Sequence, residues 1–106
     1  MKERYTIGEV AALLNMSPQT LRFYDKNGVV VPHQIDGRTG YRYYSYDQIQ
    51  YIDRVKYLQR FGFRLEDIRD ILAANDIRAF CGFLEKRRQD IQEEMGRLGE
   101  LLEDLD

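Results

Sequence analysis

Few residues in this chain have types and spacings suited to chemistry, and the sparse ones exclude more than they suggest. Cys81 is the single cysteine and His33 the single histidine. An internal disulfide and a Cys/His metal cluster both need more than that, so neither a disulfide scaffold nor a structural zinc site is expected. No Ser/His/Asp set, paired-carboxylate pocket or glycine-rich phosphate loop can be recognised; Ser17 and Ser45 stand where helix caps belong. The reading is therefore of a non-enzyme with no cofactor and no metal, and His33 is assigned no role. Arginines interleaved with tyrosines remain, above all in Arg38 and the run Tyr41, Arg42, Tyr43, Tyr44. A guanidinium presents a fork of donors that fits phosphate oxygens, and a phenol hydroxyl donates to the same groups.

The overall charge of −2 argues against a polyanionic partner, but it averages two unlike halves. Residues 1–60 carry nine Lys/Arg against six Asp/Glu, and the remainder carries seven against twelve. A basic front provides the local positive charge that phosphate attraction requires, whereas an acidic rear discourages wrapping on DNA. With 106 residues the chain is one compact domain, with room for one projecting element. No apolar run approaches the roughly 18–20 residues of a membrane span, and Met1-Lys2-Glu3-Arg4 leads into no signal-like stretch, so a cytoplasmic protein without a membrane partner is expected.

The elements that would position the basic residues announce themselves by their caps. Thr6-Ile7-Gly8-Glu9 has the form of a capping box, and Ile7, Val10, Ala11 and Leu14 continue as one apolar stripe to about Asn15. Ser17-Pro18 then predicts a second helix at once, with Leu21 and Tyr24 inward and Asn27-Gly28 as its stop. Two short helices joined by a tight turn make a helix-turn-helix, whose second helix is presented outward for the major groove. After Gly28, the β-prone Val29, Val30, Val31, a turn through Asp36-Gly37-Arg38-Thr39-Gly40, and the strand-like Tyr41 to Tyr44 read together as a small hairpin. Such a wing lays Arg38 and Arg42 against a sugar-phosphate backbone, while strand alternation turns one of Tyr43 and Tyr44 into the core.

Ser45-Tyr46-Asp47-Gln48 is a further capping box, and Ile49, Ile52, Val55 and Leu58 predict a third helix stopped by Gly62. A fourth helix is expected from about Leu65 to Leu72, with Leu65, Ile68 and Leu72 on one face. From Ile77 the period changes: Ile77, Leu84, Ile91, Leu98 and Leu105 recur every seven residues, and Cys81, Arg88, Met95 and Leu102 follow each of the first four by four. At ~1.5 Å per residue this helix reaches on the order of 40 Å, more than the domain covers, so the seam calls for a partner chain. Cys81, lying on that seam, reads as a small apolar residue rather than a ligand.

The ordered set of motifs resembles the MerR family of bacterial transcription regulators. The similarity runs through Tyr5 to Ala11, Ser17, Thr20-Leu21-Arg22-Phe23-Tyr24-Asp25, Gly28, Pro32, Gly40 to Ser45, and Leu58 to Phe63. The wing pattern Asp36-x-x-Thr39-Gly40-Tyr41-Arg42-Tyr43-Tyr44 is most similar to the multidrug-responsive branch. The resemblance implies a mainly α fold: a winged helix-turn-helix with a small β-hairpin wing, a second helix pair and a long C-terminal coiled-coil dimerisation helix. It implies residues 1–75 for the DNA-binding domain and 76–106 for an antiparallel coiled coil in a homodimer, with Ile77, Leu84, Ile91, Met95, Leu98, Leu102 and Leu105 in the seam.

The function implied is sequence-specific binding to double-stranded promoter DNA, whose distortion by the dimer controls transcription by RNA polymerase. Ser17, Gln19, Thr20 and Arg22 fall on the recognition helix, with Thr20 and Arg22 the leading candidates for groove contact and Ser17 more a cap. Thr6, Phe23, Tyr24, Arg38, Tyr41 and Arg42 complete the expected DNA-binding set. Tyr24 is expected to reach phosphate through its hydroxyl, and Phe23, where Tyr is commoner, lacks one. Arg54, Lys56 and Arg60 form a weaker second basic edge. The chain is expected to be the DNA-binding and dimerisation part of a longer regulator, without its effector domain, and no effector is named by the sequence. The alternative from another class is an architectural DNA-bending protein, excisionase-like or chromosome-organising.

Overall fold

The computed structural model describes residues 4–106; the Met1–Glu3 start, read above as no signal, lies outside the described residues. The order of elements is β1 (Tyr5–Thr6), α1 (Ile7–Leu14), α2 (Pro18–Lys26), β2 (Gln34–Ile35), β3 (Arg42–Tyr44), α3 (Tyr46–Arg60), α4 (Leu65–Ala73) and α5 (Ile77–Leu105). Two compact units divide the chain, one ending at Leu65 and the other covering Glu66–Asp106.

In the first unit every sequence-predicted cap is in place. Thr6 Oγ1 accepts from the Glu9 amide at 3.1 Å while Glu9 Oε1 accepts from the Thr6 amide at 3.0 Å, the reciprocal box that starts α1. Asn15 ends the helix in the left-handed region at φ 53°, a conformation asparagine tolerates better than most residues. Ser17 then caps α2 with Pro18 in its first turn, and Ser45 with Gln48 closes a second box at the head of α3. Val10, Leu21, Tyr44, Ile52, Val55 and Leu58 are almost wholly buried and form the core of this unit together with Tyr24. Burying each of the aliphatic ones contributes about 1.5–3 kcal/mol relative to exposure.

The sheet differs from the expected hairpin in two ways. Its order is β1-β3-β2, so the two residues before α1 form an edge strand, with Tyr5 opposite Tyr44 and Thr6 opposite Tyr43. The partner on the other side is Gln34–Ile35, with Gln34 opposite Tyr43 and Ile35 opposite Arg42, and not the valine run. Val29 and Val30 spend their amides on the Tyr24 carbonyl, at 2.8 and 3.4 Å, which finishes α2 and leaves no ladder to join. Both side chains are buried, so their apolar character serves the core. The alternation expected across Tyr43 and Tyr44 is present: Tyr44 is buried, and Tyr43 is half-buried with the Arg4 guanidinium 4.4 Å above its ring.

In the second unit, Ile68 and Ile71 are the buried residues of α4, and the expected Leu72 is only half-buried. Residues three and four on from Ile68 flank its meridian on opposite sides, and the buried side is that of Ile71. Asp76, unforeseen as a cap, accepts from the Arg78 and Ala79 amides at 3.0 and 3.3 Å and launches α5. That helix runs unbroken through Gly96 and Gly99, and none of its residues is buried within the chain.

Candidate nucleic-acid interface

The outer face of α2 is set by the two residues it sends inward. Leu21 and Tyr24 are 1% exposed, one helical turn apart, and fix the rotation of the helix about its axis. Gln19, Arg22 and Phe23 are thereby left exposed, and Thr20 is half-buried. Ser17 Oγ accepts from the Thr20 amide at 3.1 Å and lies 3.0 Å from the Thr20 hydroxyl, so the cap also orients a candidate groove contact.

The wing is held by its own turn. Asp36 Oδ1 accepts from the Arg38 amide at 2.8 Å and the Thr39 amide at 3.2 Å, and those hydrogen bonds, Arg38 first, hold its carboxyl below the usual carboxylate range. Gly40, at φ 74°, takes a backbone conformation that a side chain would strain. Arg38 is exposed at the tip and Tyr41 is 63% exposed beyond it. The base of the wing is tied to α2 by an ion pair, Arg42 Nε to Asp25 Oδ2 at 3.0 Å.

These elements meet around one depression of about 310 Å3, lined by Thr6 and Ile7 from the start of α1, Arg22 from α2, and Gly40, Tyr41 and Arg42 from the wing. Two guanidinium groups thus stand over a surface with a threonine and a tyrosine beside them. Beneath, the Tyr44 hydroxyl is buried; burial raises its pKa, Asp25 adds to the rise, and Arg42 and Arg22 oppose it. The arrangement suits a polyanionic backbone, with donors of forked geometry and no acidic side chain among the lining residues.

Residues 5–75 match the profile of the MerR HTH family regulatory protein. The chain belongs to the MerR family. It is 37% identical over 102 residues to the multidrug-efflux transporter 1 regulator of Bacillus subtilis, an alignment covering 95% of this chain and 36% of that protein. With Pseudomonas aeruginosa transcriptional regulator BrlR the identity is 35%, over 95% of this chain and 38% of the other. The chain therefore spans little more than a third of the length of these relatives. Among solved structures it resembles MtaN, the N-terminus of the Bacillus subtilis multidrug transporter activator, with TM-score 0.84, 25% identity, and coverage of 96% and 94% of the two chains. HiNmlR, a MerR family regulator lacking the sensor domain and bound to promoter DNA, gives TM-score 0.67 at 25% identity over 94% of this chain and 79% of that one. These relatives are regulators, not enzymes.

Measured against the MerR expectations, the structure brings Thr6, Arg22, Tyr41 and Arg42 together and leaves Gln19, Phe23 and Arg38 exposed on the same two elements. Tyr24 is the correction. It is a core residue, 1% exposed, and its hydroxyl, expected to reach phosphate, donates to Gln59 Oε1 within the chain. Burial raises its pKa as well. Lys56 is corrected too: its Nζ donates to the Leu14 carbonyl at the C-terminal end of α1, where a cation meets the negative end of the helix dipole, so it is committed inside the unit rather than offered on an edge. Cys81 is exposed on α5, not buried within the chain, and no group of three or more His, Cys, Asp and Glu side chains among the described residues forms a metal-binding cluster.

Sequence reasoning missed Asp25 and Gln48. Gln48 Oε1 accepts from the Ser45 amide at 3.1 Å and the His33 amide at 2.9 Å, and its Nε2 donates to the Val31 carbonyl at 2.5 Å. A capping box was legible in that glutamine; its hold on the chain entering the wing was not.

Proposed function

We propose that this chain is the DNA-binding and dimerisation region of a sequence-specific MerR-type transcription regulator, with residues 1–75 gripping promoter DNA and 76–106 pairing two copies in an antiparallel coiled coil. The single observation that carries the reading is the convergence of Arg22 from α2 and Arg42 and Tyr41 from the wing on one depression. Thr20, Gln19 and Arg22 enter the major groove; Arg38, Tyr41, Arg42 and Thr6 hold phosphates; Ser17 acts as cap, and Phe23 packs against sugar. In this role Tyr24 holds α2 rather than DNA.

Two copies bound to a palindrome deform it, at a cost of about 1–10 kcal/mol that the contacts of the bent form offset, and so alter how RNA polymerase engages the promoter. Support comes from HiNmlR bound to promoter DNA and from EcmrR, whose DNA complex was solved within EcmrR-RPo and which has TM-score 0.75 at 28% identity. The regulators among the relatives favour this reading over an architectural DNA-bending protein. The setting is the cytoplasm, at the nucleoid; no described helix is long and apolar enough to cross a membrane.

The test is to select duplexes from a random-sequence pool with the 106-residue chain and measure fluorescence anisotropy on a selected duplex at two salt concentrations. A palindromic consensus and an affinity falling steeply with salt are expected, the slope being about 0.9 per phosphate neutralised. Failure to enrich any sequence would refute the proposal.

A further inference from the structure

Arg42 lines the depression together with Arg22, whereas Asp25 does not. The two are joined through Arg42 Nε, so the terminal Nη nitrogens are not the atoms spent on the ion pair. The Asp25 side chain is 19% exposed and that of Arg42 37%, which removes this pair from the class of freely solvated surface bridges. The partners lie seventeen residues apart in sequence, on different elements, so the bond connects the recognition helix to the central strand of the wing.

We infer that Asp25 is a positioning residue for DNA binding: by holding Nε of Arg42 it pre-orients the guanidinium so that its remaining nitrogens take a backbone phosphate at the depression shared with Arg22. The inference rests on the DNA-binding reading given above and adds the residue that sets the geometry. Two physical effects oppose each other here. A carboxylate near DNA repels phosphate, so charge alone makes its removal improve binding. An arginine, however, has many rotamers, and ordering it at the moment of binding weakens the complex; a guanidinium already fixed by its inner edge avoids that loss. The cationic guanidinium held by Asp25 lies between the carboxylate and that phosphate and offsets their repulsion, and the direct 3.0 Å bond is half-buried and little screened. Positioning therefore outweighs repulsion, and the sign of the effect is opposite to the one the charge predicts.

Arg42→Lys gives a second handle, because an ammonium is a single point of charge without the fork that serves aspartate and phosphate at once.

The experiment uses the duplex selected by the wild-type chain, with anisotropy titrations across a salt series and circular-dichroism melts of every variant. Asp25→Ala is expected to weaken binding about tenfold and to make the salt dependence shallower by about 0.9 for each phosphate given up. Asp25→Asn, which retains an oxygen acceptor for Nε, is expected to stay within about threefold of wild type, and Arg42→Lys to fall with Asp25→Ala. The double variant Asp25→Ala/Arg42→Ala is expected to bind no worse than Arg42→Ala alone. Asp25→Ala binding as tightly as wild type or tighter overturns the inference while leaving the DNA-binding reading intact, as do equal losses in the alanine and asparagine variants or independent losses in the double. A wild-type chain that enriches no duplex overturns both.

Discussion

The Tyr24 hydroxyl donates to Gln59 Oε1, a bond spanning thirty-five residues that pins the recognition helix α2 to the last turn of α3. Since the ring is 1% exposed, the phenol is structural. Tyr24→Phe is expected to cost about 0.5–1.5 kcal/mol of stability, the net value of one hydrogen bond, in a denaturant melt, with DNA affinity unchanged within about twofold. A large loss of affinity in a variant with an unchanged melt would return Tyr24 to the phosphate-binding set.

Gln48 joins three backbone groups, from Ser45, His33 and Val31, and so fixes both the head of α3 and the chain running into β2. Gln48→Ala should cost about 2–3 kcal/mol, at roughly 1 kcal/mol for each bond lost. Ser45→Ala, which removes the cap alone, should cost about 1 kcal/mol. Amide hydrogen exchange separates the two roles: the His33 amide is expected to exchange faster in Gln48→Ala and to remain protected in Ser45→Ala.

What could be read in the sequence was local. A cap is an agreement between residues three apart, and Thr6 with Glu9 and Ser45 with Gln48 formed as their spacing required. The stripe Ile49, Ile52, Val55, Leu58 is likewise buried throughout, because a helix repeats its own geometry. What escaped was non-local or in competition. The pairing of Tyr5 with Tyr44 involves a two-residue strand with no period to detect. Val29 and Val30 have strong β-propensity, but the Tyr24 carbonyl claimed their amides first. Arg22, Arg38 and Arg42 were recognisable as cations suited to phosphate, whereas the Asp25 carboxylate that holds Arg42 carries no signal in a single sequence.

The Asp36 turn makes the wing acid-sensitive. Its pKa is lowered chiefly by the Arg38 amide and then by the Thr39 amide, so the ionised form belongs to the folded wing. A depressed folded pKa contributes stability that is present above the unfolded value, 3.8, and lost as pH falls through the folded one. Exchange protection and chemical shifts of the Arg38 and Thr39 amides are therefore expected to change as pH falls below about 4 while α3 amides hold, and Asp36→Asn should flatten that response.

The exposed stripe of α5 distinguishes a lone helix from a paired one. Within the chain Met95 is 68% exposed, Leu98 47% and Leu102 65%. Were these faces left in water, Leu98→Asp would be nearly neutral, since no contact within the chain would be lost. In a homodimer each copy buries its leucine, and the same change forfeits about 1.5–3 kcal/mol from each subunit in addition to placing two carboxylates in an apolar seam. Gly96 and Gly99, each costing about 1 kcal/mol relative to alanine, leave the unpaired helix little stability of its own. Analytical ultracentrifugation should find wild type dimeric and Leu98→Asp monomeric with reduced helicity. Gln89→Asp, off the seam, should remain dimeric; equal masses for wild type and Leu98→Asp would refute pairing through this face.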